Sequence, residues 1–409
     1  MNLNSDSSVL IATFSPWKNG IRLPINGNVE PMLDFFTPRV RKTVLIDQVY
    51  PGSDSVLPRI EVYEKKKRIK ILSSSWVVRI LEPFLRTVNK GGTHIVFKIR
   101  DFLSVLDWSV RSSEHIDFYI GFESVNALAG ILLKNIGKVS TVIYYVSDYS
   151  PLRYSNRIFN RVYLWLDRMA AQYSDIVWDV SPAIHPARIS AGLNPKIIAP
   201  VIVVPNALYP KQIHTESVAR IFHHTIVFMG TLGEENGPDI AIKAMTLVIR
   251  NFPDAVLHIV GGGDYEMDRL KALVSKLKLK KSVVFHGFFT DRAKISALIR
   301  RFQIAVAPYK RTVGSARLYG DATKIRAYLA AGLPVVTTDV PPLGNIAQNA
   351  GAAIIVPDTP EGLARGIVQL FENESEFKKM KIHAVRFAKN NTWDKEYTKA
   401  FALMSRMKM

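Results

Sequence analysis

The chain has no cysteine in 409 residues, which rules out disulfides and thiolate metal sites and fits a reducing cytoplasmic compartment. Long apolar runs are missing too. Stretches such as Ile197–Pro205 fall far short of the roughly 20 residues that cross a bilayer. The N-terminus, MNLNSDSS, lacks the basic region and apolar core of a secretion signal. Its nine histidines show no HExxH or HxxxH spacing, so no structural metal is expected. Acidic residues are scarce: 35 Asp and Glu stand against 54 Lys and Arg, a net charge of +19. That excess suits a polyanionic surface of lipid head groups, nucleic acid or acidic polysaccharide, and says nothing about fold.

What is present is a globular composition, 48% hydrophobic and 22% charged, on a chain long enough for two domains. Short apolar runs alternate with helix-period segments throughout, which predicts an α/β class with two doubly wound sheets. Ser8–Phe14 and Thr43–Gln48 read as early strands. The loop between them holds Asn26, Gly27 and Asn28, which border the ligand crevice of such a sheet or form a plain turn. KKKRIK at Lys65–Lys70 reads as a basic turn between strands. The segment Trp76–Val110 mixes aromatic, apolar and basic residues, is broken into pieces by Pro83 and Gly91-Gly92, and suits either a core-facing helical region or one lying on a membrane surface.

Thr141–Val146 is a strand candidate that ends in Ser147-Asp148. A carboxylate just past the end of a parallel strand faces the crevice, where a general base belongs; a loop or capping role is the alternative. A helix over Tyr154–Tyr173 follows, with Arg153, Arg157 and Arg161 four apart on one face and Ile158, Val162, Leu166 and Met169 on another. The arginines suit either a diphosphate clamp or a solvated face. The polar stretch Pro205–His224 marks the domain boundary. Beyond it, Thr225–Met229 leads into Gly230-Thr231-Leu232, whose amides could meet ligand oxygens. The triplet Gly261-Gly262-Gly263 does not complete GxGxxG and is weak evidence for a nucleotide site.

The most informative stretch is Gln303–Thr338, QIAVAPYKRTVGSARLYGDATKIRAYLAAGLPVVTT. It reads as a buried strand to Pro308, a loop from Tyr309 to Gly320, a helix from Ala322 to about Ala331 capped by Asp321, and a further strand from Val335. Unpaired N–H groups and the dipole make that helix start electropositive, and Lys324 adds a full charge there. A solvated helix lysine is the alternative.

APY, a loop and DATKIRAYLAAGLPVV resemble the donor-site segment of two-Rossmann-domain (GT-B) glycosyltransferases, of family 4 and of the xanthan glucuronosyltransferase type (family 70). The resemblance covers most of the second half and the first half loosely. It implies two Rossmann-like domains facing a cleft: an acceptor domain over 1–207, a nucleotide-sugar domain over 208–390, and a helix over 391–409 after the Asn391-Thr392-Trp393-Asp394 motif. It further implies that Lys324 and Thr323 hold the diphosphate of the donor, that Tyr309 and Phe288 lie near the base, and that Thr231 and Leu232 meet donor oxygens. Asp148 would be the base of an inverting transfer. Asn28, Arg153 and Arg157 would lie on the acceptor side. The pair of glutamates found in retaining members is replaced by Tyr319 and Ala327. The cationic residues that many members carry near the first glycine are replaced by Thr231 and Asn236.

The expectation is therefore a metal-independent hexosyl- or glycuronosyltransferase without a resident cofactor. Its donor would be a nucleotide diphosphate sugar, UDP-linked by preference. Its acceptor would be a lipid-linked sugar or polysaccharide hydroxyl, at the cytoplasmic membrane face, with an anionic bilayer as a further partner. A retaining family 4-like transferase, a sugar-nucleotide epimerase and a nucleic-acid-modifying protein are the alternatives.

Overall fold

The apolar run at Ser8 begins β1 (Ser8–Ser15), and every residue of it but one is buried. In the computed structural model, which describes residues 3–23, 28–89, 95–262, 264–289 and 291–407, the chain divides into two units. Unit 1 takes Met1–Val204 and Tyr397–Met409; unit 2 takes Pro205–Glu396.

Unit 1 adds to β1 a small hairpin, β2 (Trp17–Lys18) and β3 (Ile21–Arg22), and then β4 (Lys42–Val49), β5 (Arg59–Glu64), β6 (Lys67–Ser73), β7 (Ile116–Phe122), β8 (Val139–Val146), β9 (Ile176–Asp179) and β10 (Val201–Val203). The main sheet runs β10-β9-β8-β7-β1-β4-β5-β6, parallel except at the β4–β5–β6 meander. The strand order reverses between β1 and β7, so the crevice at the carboxyl ends of these strands is the place for a ligand. Its helices are α1 (Val29–Phe36), α2 (Trp76–Arg79), α3 (Glu82–Val88), α4 (Ile95–Arg111), α5 (Glu123–Asn135), α6 (Arg157–Tyr173) and α7 (Ile184–Ser190). The helix pairs α4–α5 and α5–α6 pack side by side, with α5 against β7 and β8.

Unit 2 is a six-stranded parallel sheet made of β11 (Thr225–Met229), β12 (Val256–Val260), β13 (Val283–Gly287), β14 (Ile304–Ala307), β15 (Val335–Thr337) and β16 (Ala353–Ile355), in the order β13-β12-β11-β14-β15-β16. Its β-branched strands are those of a sheet covered on both faces, here by α8 (Pro238–Asn251), α9 (Asp264–Lys276), α10 (Arg292–Ile299), α11 (Thr323–Ala330), α12 (Pro342–Asn349), α13 (Pro360–Glu372) and α14 (Glu374–Asn390). The order reverses between β11 and β14. The final helix α15 (Trp393–Arg406) lays Tyr397 and Phe401 against Phe35, Phe36 and Trp178 of unit 1.

The structure corrects three local expectations. Asp321 does not cap α11. The N-cap is Ala322, and the Asp321 carboxylate is taken by Arg326, at 2.7 Å from Nε and 3.1 Å from Nη2. The helix after β8 starts at Arg157 rather than Tyr154, because Asn156 Oδ1 accepts from the N–H groups of Ile158 and Phe159. The basic turn is Lys65-Lys66 alone, both at positive φ, and the rest of KKKRIK is edge strand β6. Trp76–Val110 falls into three helices, in keeping with the breaks expected from its proline and glycines. Asn26, Gly27 and Gly263 lie outside the described residues.

Candidate active site

In unit 2 the chains leaving β11 and β14 diverge at the strand-order reversal, and Tyr328 of α11 braces the fork. Its hydroxyl accepts from the Met229 N–H at 2.6 Å and lies 3.4 Å from the Val306 carbonyl oxygen. Gly230 follows β11 at φ +128°, where a side chain is strained. A Cβ there would come within 3.1 Å of Lys324 Cε. The glycine thus leaves room for the lysine. Gly237, at φ +69°, opens α8 with its Cα against the Pro308 carbonyl oxygen, where a Cβ would collide.

Lys324 is the second residue of α11. Its ammonium sits 4.6 Å from the centre of the Phe228 ring and 4.7 Å from that of Tyr309, and 3.4 Å from Asn236 Oδ1. Asn236 in turn donates to Thr231 Oγ1 at 2.8 Å. The residues that replace the cations of many family 4 members therefore orient the remaining one. Burial, and then the charge of Arg317, pull the Lys324 ammonium down to about 7. An anion beside it would reverse that shift. Thr323 is exposed at the helix start and Ala322 supplies no capping side chain; the Ile325 N–H turns back to the Ala322 carbonyl oxygen at 2.9 Å, which leaves the Thr323 and Lys324 amides uncapped by any side chain.

The remaining donor-side expectations separate. Leu232 is buried in the core, leaving only its backbone for a ligand. Tyr309 is also buried, its ring under the Lys324 ammonium rather than presented to a base. Phe288 is exposed after Gly287 at the end of β13. Gly230 donates to the Val260 carbonyl and Gly261 to that of Gly287, so the ends of β11, β12 and β13 are tied in a row. Arg317, whose charge bears on Lys324, went unnoticed in the sequence because nothing in its spacing marks it.

In unit 1, Asp148 follows β8 and pairs with Arg153 Nη1 at 2.8 Å. Arg153 lies ahead of α6 and turns back to this carboxylate, so it does not share a face with Arg157. Arg157 lines a surface cavity of about 400 Å3 with Leu152, Tyr154, Ser155, Asn160 and Arg161. Asn28 stands at the N-cap position of α1 in left-handed conformation, φ 47°, with no capping hydrogen bond from its side chain. Glu123 is a second residue that sequence reasoning missed. It follows β7, beside the strand-order reversal, at φ +63°, a strained geometry for a side chain of this size. Its Oε1 accepts from Ser147 Oγ at 3.0 Å. Burial pushes its carboxyl up against the opposing pull of Arg153 and Lys98. The rule that singles out Asp148, a carboxylate just past a parallel strand, applies equally to Glu123. Among the described residues no cluster of three or more His, Asp or Glu side chains could hold a metal.

Two sheets of this topology form the GT-B fold of glycosyltransferases. Residues 223–373 match the family model described as Glycosyl transferases group 1. The chain is 27% identical over 150 residues to poly(glycerol-phosphate) alpha-glucosyltransferase of Bacillus subtilis (strain 168), covering 36% of this chain and 21% of that one. It is 30% identical over 156 residues to phosphatidyl-myo-inositol mannosyltransferase of Mycobacterium tuberculosis (strain ATCC 25618 / H37Rv), covering 37% and 38%. The chain thus spans less than half the length of these relatives. Among solved structures, sucrose-phosphate synthase (tll1590) from Thermosynechococcus elongatus superposes with a TM-score of 0.68 at 13% identity, covering 98% of both chains. Anabaena Alr3699/HepE in complex with UDP gives 0.67 at 14%, covering 98% of this chain and 100% of that one. The resemblance to GT-B glycosyltransferases is therefore borne out, in sequence over the second half and in fold over nearly the whole chain.

Proposed function

We propose that the protein transfers a sugar from a nucleotide diphosphate sugar to an acceptor hydroxyl. The observation that carries the reading is Lys324: a cation held over two aromatic rings at the strand-order reversal of unit 2, beside uncapped helix amides. That arrangement would stabilise a departing diphosphate as charge develops on it. Thr323 and the backbone of Thr231 and Leu232 would add donors, and Phe288 would cover the base. UDP is the base-bearing ligand named for the HepE structure, which supports a UDP-linked donor.

On the acceptor side, Asp148 would remove the hydroxyl proton. The oxygen then attacks the anomeric carbon as its bond to phosphate breaks, giving inversion. Arg153 would hold the carboxylate in place, and Asn28 and Arg157 would contact the acceptor. Lys324 and the amides would carry the leaving-group charge without a metal. A lipid-linked acceptor is supported by the phosphatidyl-myo-inositol named for one relative, and it would be met at the cytoplasmic membrane face. Among the described residues no helix is long and apolar enough to cross a membrane.

The experiment is thermal denaturation with UDP, GDP and their sugar conjugates, on wild type and Lys324→Ala. A ligand that binds only the native state raises the melting temperature, by an amount set by about RT ln(1 + [L]/Kd). Stabilisation by one nucleotide, lost in Lys324→Ala, is the expected result. No shift with any nucleotide would sink the transferase reading.

A further inference from the structure

The helix α6 is built inside out. Its buried residues are Asn160, Asp167, Ala170 and Ala171. Asp167 is held there by Arg188 and by the Tyr144 hydroxyl. Its outer face carries Ile158, Phe159, Val162 and Trp165, which are 69%, 59%, 45% and 55% exposed. An ordinary surface helix does the opposite. At about 100° per residue, Ile158, Val162 and Trp165 fall within a stripe roughly 60° wide, and Arg157, Arg161 and Arg168 run along one flank of it.

The charge on this face has one sign. Residues 152–173 contain four arginines and one acid, Asp167, which is buried against Arg188. Arg157 and Arg161 are exposed, pair with no carboxylate among the described residues, and line the cavity at the start of the helix. A second exposed apolar group, Trp76, Ile80 and Ile95, sits on α2–α4. The strands β6 and β8 end at the carboxyl edge of the same sheet, where α2 and α6 begin. Because α4 runs down to the start of β7, its first turn lies at that edge as well.

We propose that this edge of unit 1 docks on an anionic lipid bilayer. The helix α6 lies flat, its apolar stripe at the boundary of head groups and acyl chains and its arginines on lipid phosphates. A second copy of the chain fits the face poorly, because a two-fold contact would set one arginine row against another. The proposal stands apart from the transferase reading, since vesicle binding needs neither donor nor acceptor.

The test is co-sedimentation of the full chain with phosphatidylcholine vesicles, with and without phosphatidylglycerol, over a salt series. The wild type is expected to sediment with the anionic vesicles and to release with salt. Ile158→Ser with Trp165→Ser should lower the partition coefficient at least about tenfold, as loss of two inserted side chains would. Arg157→Glu with Arg161→Glu should lower it on anionic vesicles by a similar factor. Unchanged melting curves would show that both variants stay folded. A wild type that remains in the supernatant, or variants that sediment like it, would overturn the proposal. A concentration-dependent dimer abolished by Trp165→Ser would also overturn it and assign the face to self-association.

Discussion

Donor binding should take up a proton, and the amount follows from the surroundings of Lys324. Burial and Arg317 place its free-state pKa at about 7. At pH 8, therefore, roughly nine molecules in ten carry it neutral. A diphosphate in contact favours the charged form and moves the group back toward the ordinary lysine value of about 10.4. Binding then takes up about half a proton at pH 7 and about 0.9 at pH 8, and affinity falls nearly tenfold per pH unit between about 7 and 9. The sign follows from the charged form being the binding form: affinity is fully present below pH 7, is lost as pH rises through it, and levels off above the bound-state value. Calorimetry with a UDP-sugar, in buffers of different ionisation enthalpy, reads the uptake directly. Free UDP is unsuitable because its terminal phosphate itself titrates at about pH 6. Lys324→Arg, charged throughout, should bind without uptake. A wild type that takes up no proton at pH 8, or an arginine variant that takes up as much, would refute the reasoning.

Two further outcomes follow from the unit 1 carboxylates and from the buried cluster behind them. Asp148→Asn should lower kcat by about 10²- to 10⁴-fold with donor affinity unchanged, whereas Glu123→Gln should lower it less; a larger loss in Glu123→Gln would exchange the two roles. Arg188→Met strips the cation from Asp167 and Asp179, which it holds at 2.9 and 2.8 Å, and should cost roughly 3–5 kcal/mol in urea unfolding. Burial pushes the Asp179 carboxyl up to about 6 with Arg188 holding it down, and the variant removes that pull, so the deficit should narrow as pH falls toward 6 and level off below it.

Strands were the most legible part of the fold, because buried parallel strands are short β-branched runs: Thr141–Val146 and Thr43–Gln48 lie within β8 and β4. Helix faces were legible as faces only. The period separates Ile158 and Val162 from Asn160 and Asp167, but the side that points inward is set by Arg188 on another helix, 21 positions beyond the Asp167 it reaches. Asp321 failed as a cap for a similar reason, since its partner Arg326 competes for the carboxylate and the pattern alone does not rank them. Lys324 was found because family resemblance and helix geometry meet at one residue. Glu123 was passed over although it sits at a strand end, because the left-handed backbone that marks it is invisible in the letters.

The return of the chain to unit 1 has a consequence for synthesis. Tyr397, Phe401 and Met404 are buried, and the first two pack against rings on α1 and β9. Those rings are translated before unit 2, and the residues that cover them after it. At about 5–20 residues per second, the intervening stretch Pro205–Glu396 takes roughly 10–40 s to emerge. During that interval the earlier unit waits on the ribosome with an uncovered aromatic face, while the later one can already close its own core. A nonsense codon shortly before Tyr397 would leave unit 2 intact and the first-made unit permanently sticky, which makes the codons from Tyr397 onward a sensitive place for the solubility of residues made about 200 positions earlier.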